Sequence, residues 1–132
     1  MSEETKVLIG YRMERAREAL DEARLLLSAD HGNATVNRLY YACFYAVSAL
    51  LLADGVSTSK HAHLRSLLHR QYVRPGRIPQ EMGKFFDLLF DSRKQSDYAD
   101  MIVFQPEDIR PWIGRAERFL QCVAECIESR IG

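Results

Sequence analysis

Apolar residues recur at helical spacing along almost the whole chain, and the breaks fall at glycine, proline or short polar clusters. Met13, Ala16, Leu20, Ala23 and Leu27 alternate spacings of three and four, set against Glu14, Arg17, Asp21 and Arg24. This first helix stops near Asp30-His31-Gly32. Asn33 is placed as N-cap of a second helix whose buried stripe is Val36, Tyr40, Cys43, Val47 and Leu50, with Gly55 beyond its end. Ser57-Thr58-Ser59 offers caps for a shorter third helix, with Leu64, Leu67 and Leu68 inward and Tyr72 near its end. Arg74-Pro75-Gly76-Arg77 forces a turn, and Pro79 suits the first turn of a fourth helix bearing Met82, Phe85, Phe86, Leu88 and Leu89. Tyr98–Phe104 reads as a loop or frayed end. Pro106 opens a fifth helix, with Glu107 and Asp108 at the positive end of its dipole and a stripe of Ile109, Ile113, Ala116, Leu120, Val123 and Ile127. Pro111 falls early enough in that helix to be tolerated. No stretch alternates convincingly with period two. The pattern predicts an all-α fold, an antiparallel up-and-down bundle of four or five helices joined by tight loops.

Length and composition fit one domain over residues 1–132: 15.2 kDa, 47% hydrophobic and 27% charged, which argues against disorder. Eighteen Lys and Arg balance eighteen Asp and Glu, so total charge points to no polyanionic partner. The distribution does more. Residues 55–80 carry +5 and residues 81–108 carry −4, and no acid occurs between Asp54 and Glu81. The three cysteines, Cys43, Cys122 and Cys126, form no CxxC and suit reduced thiols. The start lacks a basic segment followed by an apolar run, so no signal peptide is read. The longest apolar-rich run, Leu39–Ala53, falls short of the ~20 residues of a membrane span. A soluble cytoplasmic protein is the expectation.

Three segments could carry chemistry. The basic block Lys60-His61-Ala62-His63-Leu64-Arg65, continuing through His69, Arg70, Arg74 and Arg77, offers donors for phosphate or simply a solvated face pairing with the acids that follow. Its histidines do not converge at metal-ligand spacing, and no metal site is expected. In the second helix Asn37, Tyr41, Tyr45 and Ser48 lie along one side, a polar-tipped aromatic face suited to a ligand, a partner or broad burial. At the end of the fourth, Arg93 and Asp97 stand at i,i+4 with Tyr98 following, a spacing that a plain intrahelical ion pair also explains. No catalytic serine motif, phosphate-binding glycine loop or carboxylate pair is recognisable.

Taken together, Asn37-Arg38-x-Tyr40-Tyr41-Ala42-x-Phe44, then Lys60-His61, Val73-x-x-Gly76, Arg93-x-x-x-Asp97-Tyr98 and a helix with Ala116 and Leu120 resemble the small stand-alone HEPN domains of bacteria and archaea. The resemblance runs from about Met13 to Glu128 and implies an antiparallel helical bundle, usually dimeric. It also implies two functions: metal-independent RNase, often a toxin, or partnership with a minimal nucleotidyltransferase in a toxin–antitoxin-like system. The RNase motif of that family is Arg, four to six residues, then His. With Arg93 in the arginine position, the histidine would fall where this chain has Tyr98, Ala99 or Asp100. None replaces imidazole as an acid or base near neutral pH.

The resulting expectation is a dimeric binding module without metal or cofactor. Asn37, Arg38, Tyr41, Arg93, Asp97 and Tyr98 form its polar groove and Lys60 and His61 the rim, for a nucleotide or RNA phosphate or a nucleotidyltransferase partner. The alternative is an RNase whose acid/base residue has moved to His61 or His63. Surplus apolar surface on the second helix (Tyr40, Tyr41, Phe44, Tyr45) and on the fourth (Phe85, Phe86, Leu88, Leu89, Phe90) leads to a homodimer using both. In that dimer the two copies of Arg93 and Tyr98 approach a shared cleft.

Overall fold

The computed structural model describes residues 1–98 and 102–131, with only the backbone of Tyr98. In chain order it consists of α1 (Glu3–Ser28), α2 (Gly32–Ala53), α3 (His61–Leu68), a π-helical turn (His69–Val73), α4 (Gln80–Tyr98) and α5 (Pro106–Ile131), with no strand among the described residues. Ser2 caps α1 by accepting the Thr5 N–H at 3.0 Å. The expected stripe of α1, from Met13 to Leu27, is buried throughout.

α2 is the central element, packed against α1, α4 and α5. Its register with α1 is antiparallel: Arg12 reaches the Ser48 carbonyl, Arg15 the Tyr45 hydroxyl and Arg38 the Glu22 carboxylate. Besides the predicted stripe, Leu39, Ala42, Ala46, Ala49 and Leu51 are buried, which leaves Asn37, Arg38, Tyr41, Phe44, Tyr45 and Ser48 as a half-buried strip. By length and composition α2 is also the one described helix able to cross a membrane, a test that a core helix passes equally.

Asn33 does not cap α2. The helix starts at Gly32, and Asn33 instead accepts the Phe104 N–H at 2.8 Å and donates to the Ile102 carbonyl at 3.0 Å. The chain entering α5 is thereby pinned across the start of α2. Only glycine permits this crossing, because a Cβ on residue 32 would lie 1.9 Å from the Phe104 carbonyl oxygen. The Ser57–Ser59 caps are also replaced. Lys60 precedes α3 without a side-chain cap, and Thr58 Oγ1 accepts the Lys60 N–H from outside the helix.

The short third helix was expected to continue toward Tyr72. It changes to π geometry after Leu68, with the Arg74 N–H donating to the His69 carbonyl at 2.9 Å. The fully buried Tyr72 then donates to the Asp54 carboxylate, which also receives Arg130 at 2.8 Å and Arg77 at 4.0 Å. These contacts join the end of α2, the π turn, the turn after it and the end of α5.

The expectation of outward-facing apolar residues on α4 is corrected. Phe85, Phe86 and Leu89 have no exposed surface, Phe90 is 4% exposed, and Leu88 alone reaches 36%. A helix can bury neighbouring positions on several sides when it is surrounded. Here α2, α3 and the π turn flank α4, and Phe86 stacks on Phe119 of α5 at 6.0 Å. Arg65 covers the Phe90 ring at 4.0 Å and Arg115 covers Phe85 at 4.5 Å.

Candidate functional site

Tyr40 is the point on which α2, α3 and α4 converge. It is fully buried, with the Phe90 ring edge-on at 6.0 Å and the Phe44 ring at 5.9 Å. The Arg93 guanidinium of α4 lies over it, 4.8 Å from the ring centroid, and 5.9 Å from the ring of Tyr41. Nη1 of Arg93 is 3.3 Å from Asp97 Oδ2, one helical turn on. The Arg93 side chain is 17% exposed, and its buried Nε has no hydrogen-bond partner among the described residues. An unsatisfied buried donor costs about 1–3 kcal/mol, so this nitrogen calls for an acceptor.

His61, the first residue of α3, meets the same tyrosine from the other side. The Tyr40 hydroxyl and His61 Nδ1 are 2.6 Å apart, and the imidazole stacks on Phe44 with centroids 4.4 Å apart. Burial, and then the Arg93 charge, hold His61 below its ordinary value of 6.5. Burial pushes the Tyr40 phenol upward despite the opposing pull of Arg93 and Arg65. At neutral pH the pair is therefore a phenol and a neutral imidazole. The phenol proton has no other acceptor among the described residues, so Tyr40 donates to Nδ1. The remaining proton of the neutral ring sits on Nε2, which makes His61 a hydrogen-bond donor.

Tyr41 links this centre to Asn37 and Arg38. The Arg38 guanidinium lies 5.1 Å from its ring and donates to Asn37 Oδ1 at 3.1 and 2.9 Å, with Glu22 at 3.4 Å. Tyr41 thus stands near two guanidiniums, one on α2 and one on α4. Beside them is an open cleft of about 340 Å³ lined by Leu26, Asn33, Ala34, Asn37, Arg38, Ser96 and Asp97.

Six of the predicted site residues therefore form one connected group: Asn37, Arg38, Tyr41, His61, Arg93 and Asp97. Lys60 is exposed beside His61, with no side-chain contact to the group among the described residues. Tyr98 ends α4, and its side chain, like the whole of Ala99 and Asp100, lies outside the described residues. His63 is exposed and turned toward Thr58 at 3.1 Å. The residue that sequence reasoning missed as a functional one is Tyr40, taken there as core. Its signal was a hydroxyl in an otherwise apolar stripe, which a buried position must satisfy.

No group of three or more potential metal ligands occurs among the described residues. Burial raises the thiol of Cys43 and, less completely, those of Cys122 and Cys126, so none has thiolate character at neutral pH. The chemistry on offer is hydrogen-bond donation and positive charge: Arg93, Arg38 and the His61 N–H.

The sequence model of the HEPN domain matches residues 9–127. The chain belongs to the HEPN family. A "UPF0332 protein" of Thermotoga maritima is 44% identical over 129 residues, covering 98% of this chain and 97% of the relative. A Methanocaldococcus jannaschii protein named "Putative toxin MJ0142" is 23% identical over 118 residues, 89% of this chain and 80% of its own. A second protein of that organism with a toxin name is 29% identical over 114 residues, covering 80% and 82% respectively. The solved structure of TT1696 from Thermus thermophilus superposes with a TM-score of 0.77 at 18% identity, over 89% of this chain and 97% of that one. That superposition shows a shared fold, and the HEPN bundle is the architecture described above.

Proposed function

We propose that this HEPN protein is a phosphate-binding module that holds a nucleotide or RNA phosphate at Arg93, with His61 as a second donor and Arg38 and Asn37 on the cleft wall. The observation that carries this reading is the Arg93 guanidinium, a part-exposed fork of donors packed on two tyrosines and engaged by a single carboxylate, Asp97. A phosphate oxygen would meet the outer Nη atoms, and charge-assisted contacts of this kind are the strong ones. The toxin names of two relatives agree with a role in a toxin–antitoxin-like pair, in which a nucleotidyltransferase is the partner. In a homodimer the contact would use the half-buried strip of α2 and the neighbouring Tyr11 and Arg15 of α1, since α4 buries its phenylalanines within the protomer and exposes only Leu88 among its described large apolar residues.

Calorimetry with ATP and short RNAs tests the binding reading. The expected result is saturable heat with the native chain and a loss of about tenfold or more in affinity for Arg93→Ala. Absence of heat for every nucleotide removes the phosphate reading and leaves protein partnership alone.

The nucleolytic reading draws on one fact, that His61 rather than His63 shares Tyr40 with Arg93. Its tautomer runs against general-base work, because Nδ1 is engaged and Nε2 is protonated. Incubation with structured and unstructured RNA in EDTA decides between them. Intact RNA supports binding without cleavage, and cleavage lost in His61→Ala supports the RNase.

A further inference from the structure

The basic block is organised by a feature that the Arg93 cleft does not use. His69 opens the π turn and donates through Nε2 to Asp87 of α4 at 2.9 Å. Gly83 makes this approach possible: a Cβ there would stand 2.9 Å from the His69 ring and 3.1 Å from Val73. The π turn is thereby seated against α4, and two adjoining hollows open along the seam. One, of about 460 Å³, is lined by Ala62, Arg65, Ser66, His69, Arg70, Arg74 and Asp87. The other, of about 510 Å³, shares His69 and Arg74 and adds Lys84 beyond the turn.

The cations along this seam are not consumed by structure. Arg65 is partly engaged, over Phe90 and 3.8 Å from Asp91. Among the described residues, Arg70, Arg74 and Lys84 have no carboxylate within 4.0 Å, and all three are exposed. These cations line two adjoining shallow hollows open to solvent, so their positive charge is presented along one line on which a chain can lie. The seam begins at Ala62, next to His61, the partner of Tyr40.

We infer that this seam is a track for the backbone of a single-stranded nucleic acid, contacting consecutive phosphates through Arg65, Arg70, Arg74 and Lys84. No Phe, Tyr or Trp lines either hollow, and the His69 ring they share is tied to Asp87, so the track holds the backbone without reading bases. An anionic membrane fits less well. Among the described residues only Leu88 of α4 is an exposed apolar side chain next to the lining, while Val7, Leu8, Tyr11 and Leu25 lie on α1, so no apolar face accompanies the cations. The inference extends the phosphate-binding reading and depends on it only for where the strand ends.

A short fluorescein-labelled oligouridylate, followed by anisotropy across a salt series, tests the track. The native chain is expected to bind with a steep salt dependence. Arg70→Ala/Arg74→Ala/Lys84→Ala should lower the log–log salt slope by about 0.7 for each phosphate contact removed, and weaken binding about tenfold or more at low salt. ATP affinity at the Arg93 cleft stays unchanged in that variant, and circular dichroism confirms its helices. An unchanged slope and affinity overturn the track, as does a native chain that binds phosphatidylserine vesicles but no oligouridylate. The two readings fail separately. ATP binding without a slope change removes only the track, whereas oligouridylate binding with the expected slope change but no ATP heat removes only the Arg93 site.

Discussion

The Tyr40 hydroxyl donates to Nδ1 of His61 across 2.6 Å, and the Arg93 guanidinium lies over the face of the same tyrosine ring. One buried side chain thus sets the tautomer of the histidine and the position of the arginine. The proposed phosphate site is built on that relationship.

The first prediction concerns His61. Its pKa is depressed in the folded chain by burial and by Arg93, so between that depressed value and the ordinary 6.5 the unfolded chain binds more protons. The His61 contribution to stability is therefore fully present above pH 6.5 and is lost as pH falls through the folded value. In Arg93→Ala the His61 titration, followed by NMR, should move upward toward 6.5. A titration that does not move places Arg93 farther from His61 than described.

The second separates charge from shape at residue 93. Arg93→Lys keeps the positive charge but loses the planar stack on Tyr40 and Tyr41 and the fork of donors. Its ATP affinity should resemble that of Arg93→Ala more than that of the native chain. Full rescue by lysine would show that only a point charge matters.

The third tests the crossing at the start of α2. Alanine is the better helix former by about 1 kcal/mol, so propensity alone predicts that Gly32→Ala stabilises. The Phe104 carbonyl 1.9 Å from the new Cβ predicts the reverse, a loss of about 1–3 kcal/mol from overpacking, read as a lower Tm.

The fourth concerns assembly. Light scattering across protein concentrations should give a dimer, and Tyr45→Glu, on the half-buried strip of α2, should dissociate it. Leu88→Glu serves as the control on α4 and should leave it intact, because Leu88 is the only large apolar side chain that helix exposes among the described residues. A stable native monomer contradicts the proposed interface.

The stripes of α1 and α5 were legible because each of these helices buries one face at a period that the sequence displays directly, whereas central α2 buries its stripe and much more. The grouping of Asn37, Arg38, Tyr41, His61, Arg93 and Asp97 was also legible, through polar and aromatic residues placed where a simple core would not need them. What was hidden depends on neighbours distant in sequence. Some of Phe85, Phe86, Leu88, Leu89 and Phe90 had to face outward on paper, because a single helix cannot reveal how many others surround it. Asn33 looked like a cap because the Ile102–Phe104 segment it binds arrives some seventy residues later. The π turn has no periodic signature, and it follows a run that continues as a helix on paper. Tyr40 was counted both as core and in the surplus surface of the second helix; it is fully buried, and its hydroxyl acquires meaning only once His61 is beside it.

The most direct test of the phosphate cleft is an NMR titration of the native chain with ATP, following the Arg93 Nε–H and the His61 ring nitrogens. The Nε–H signal should shift as the neighbouring Nη atoms take the phosphate, and His61 Nε2 should move with it along one saturating curve. If ATP binds while both signals stay fixed, the phosphate lies elsewhere on the protein, and the role assigned to Arg93 is wrong.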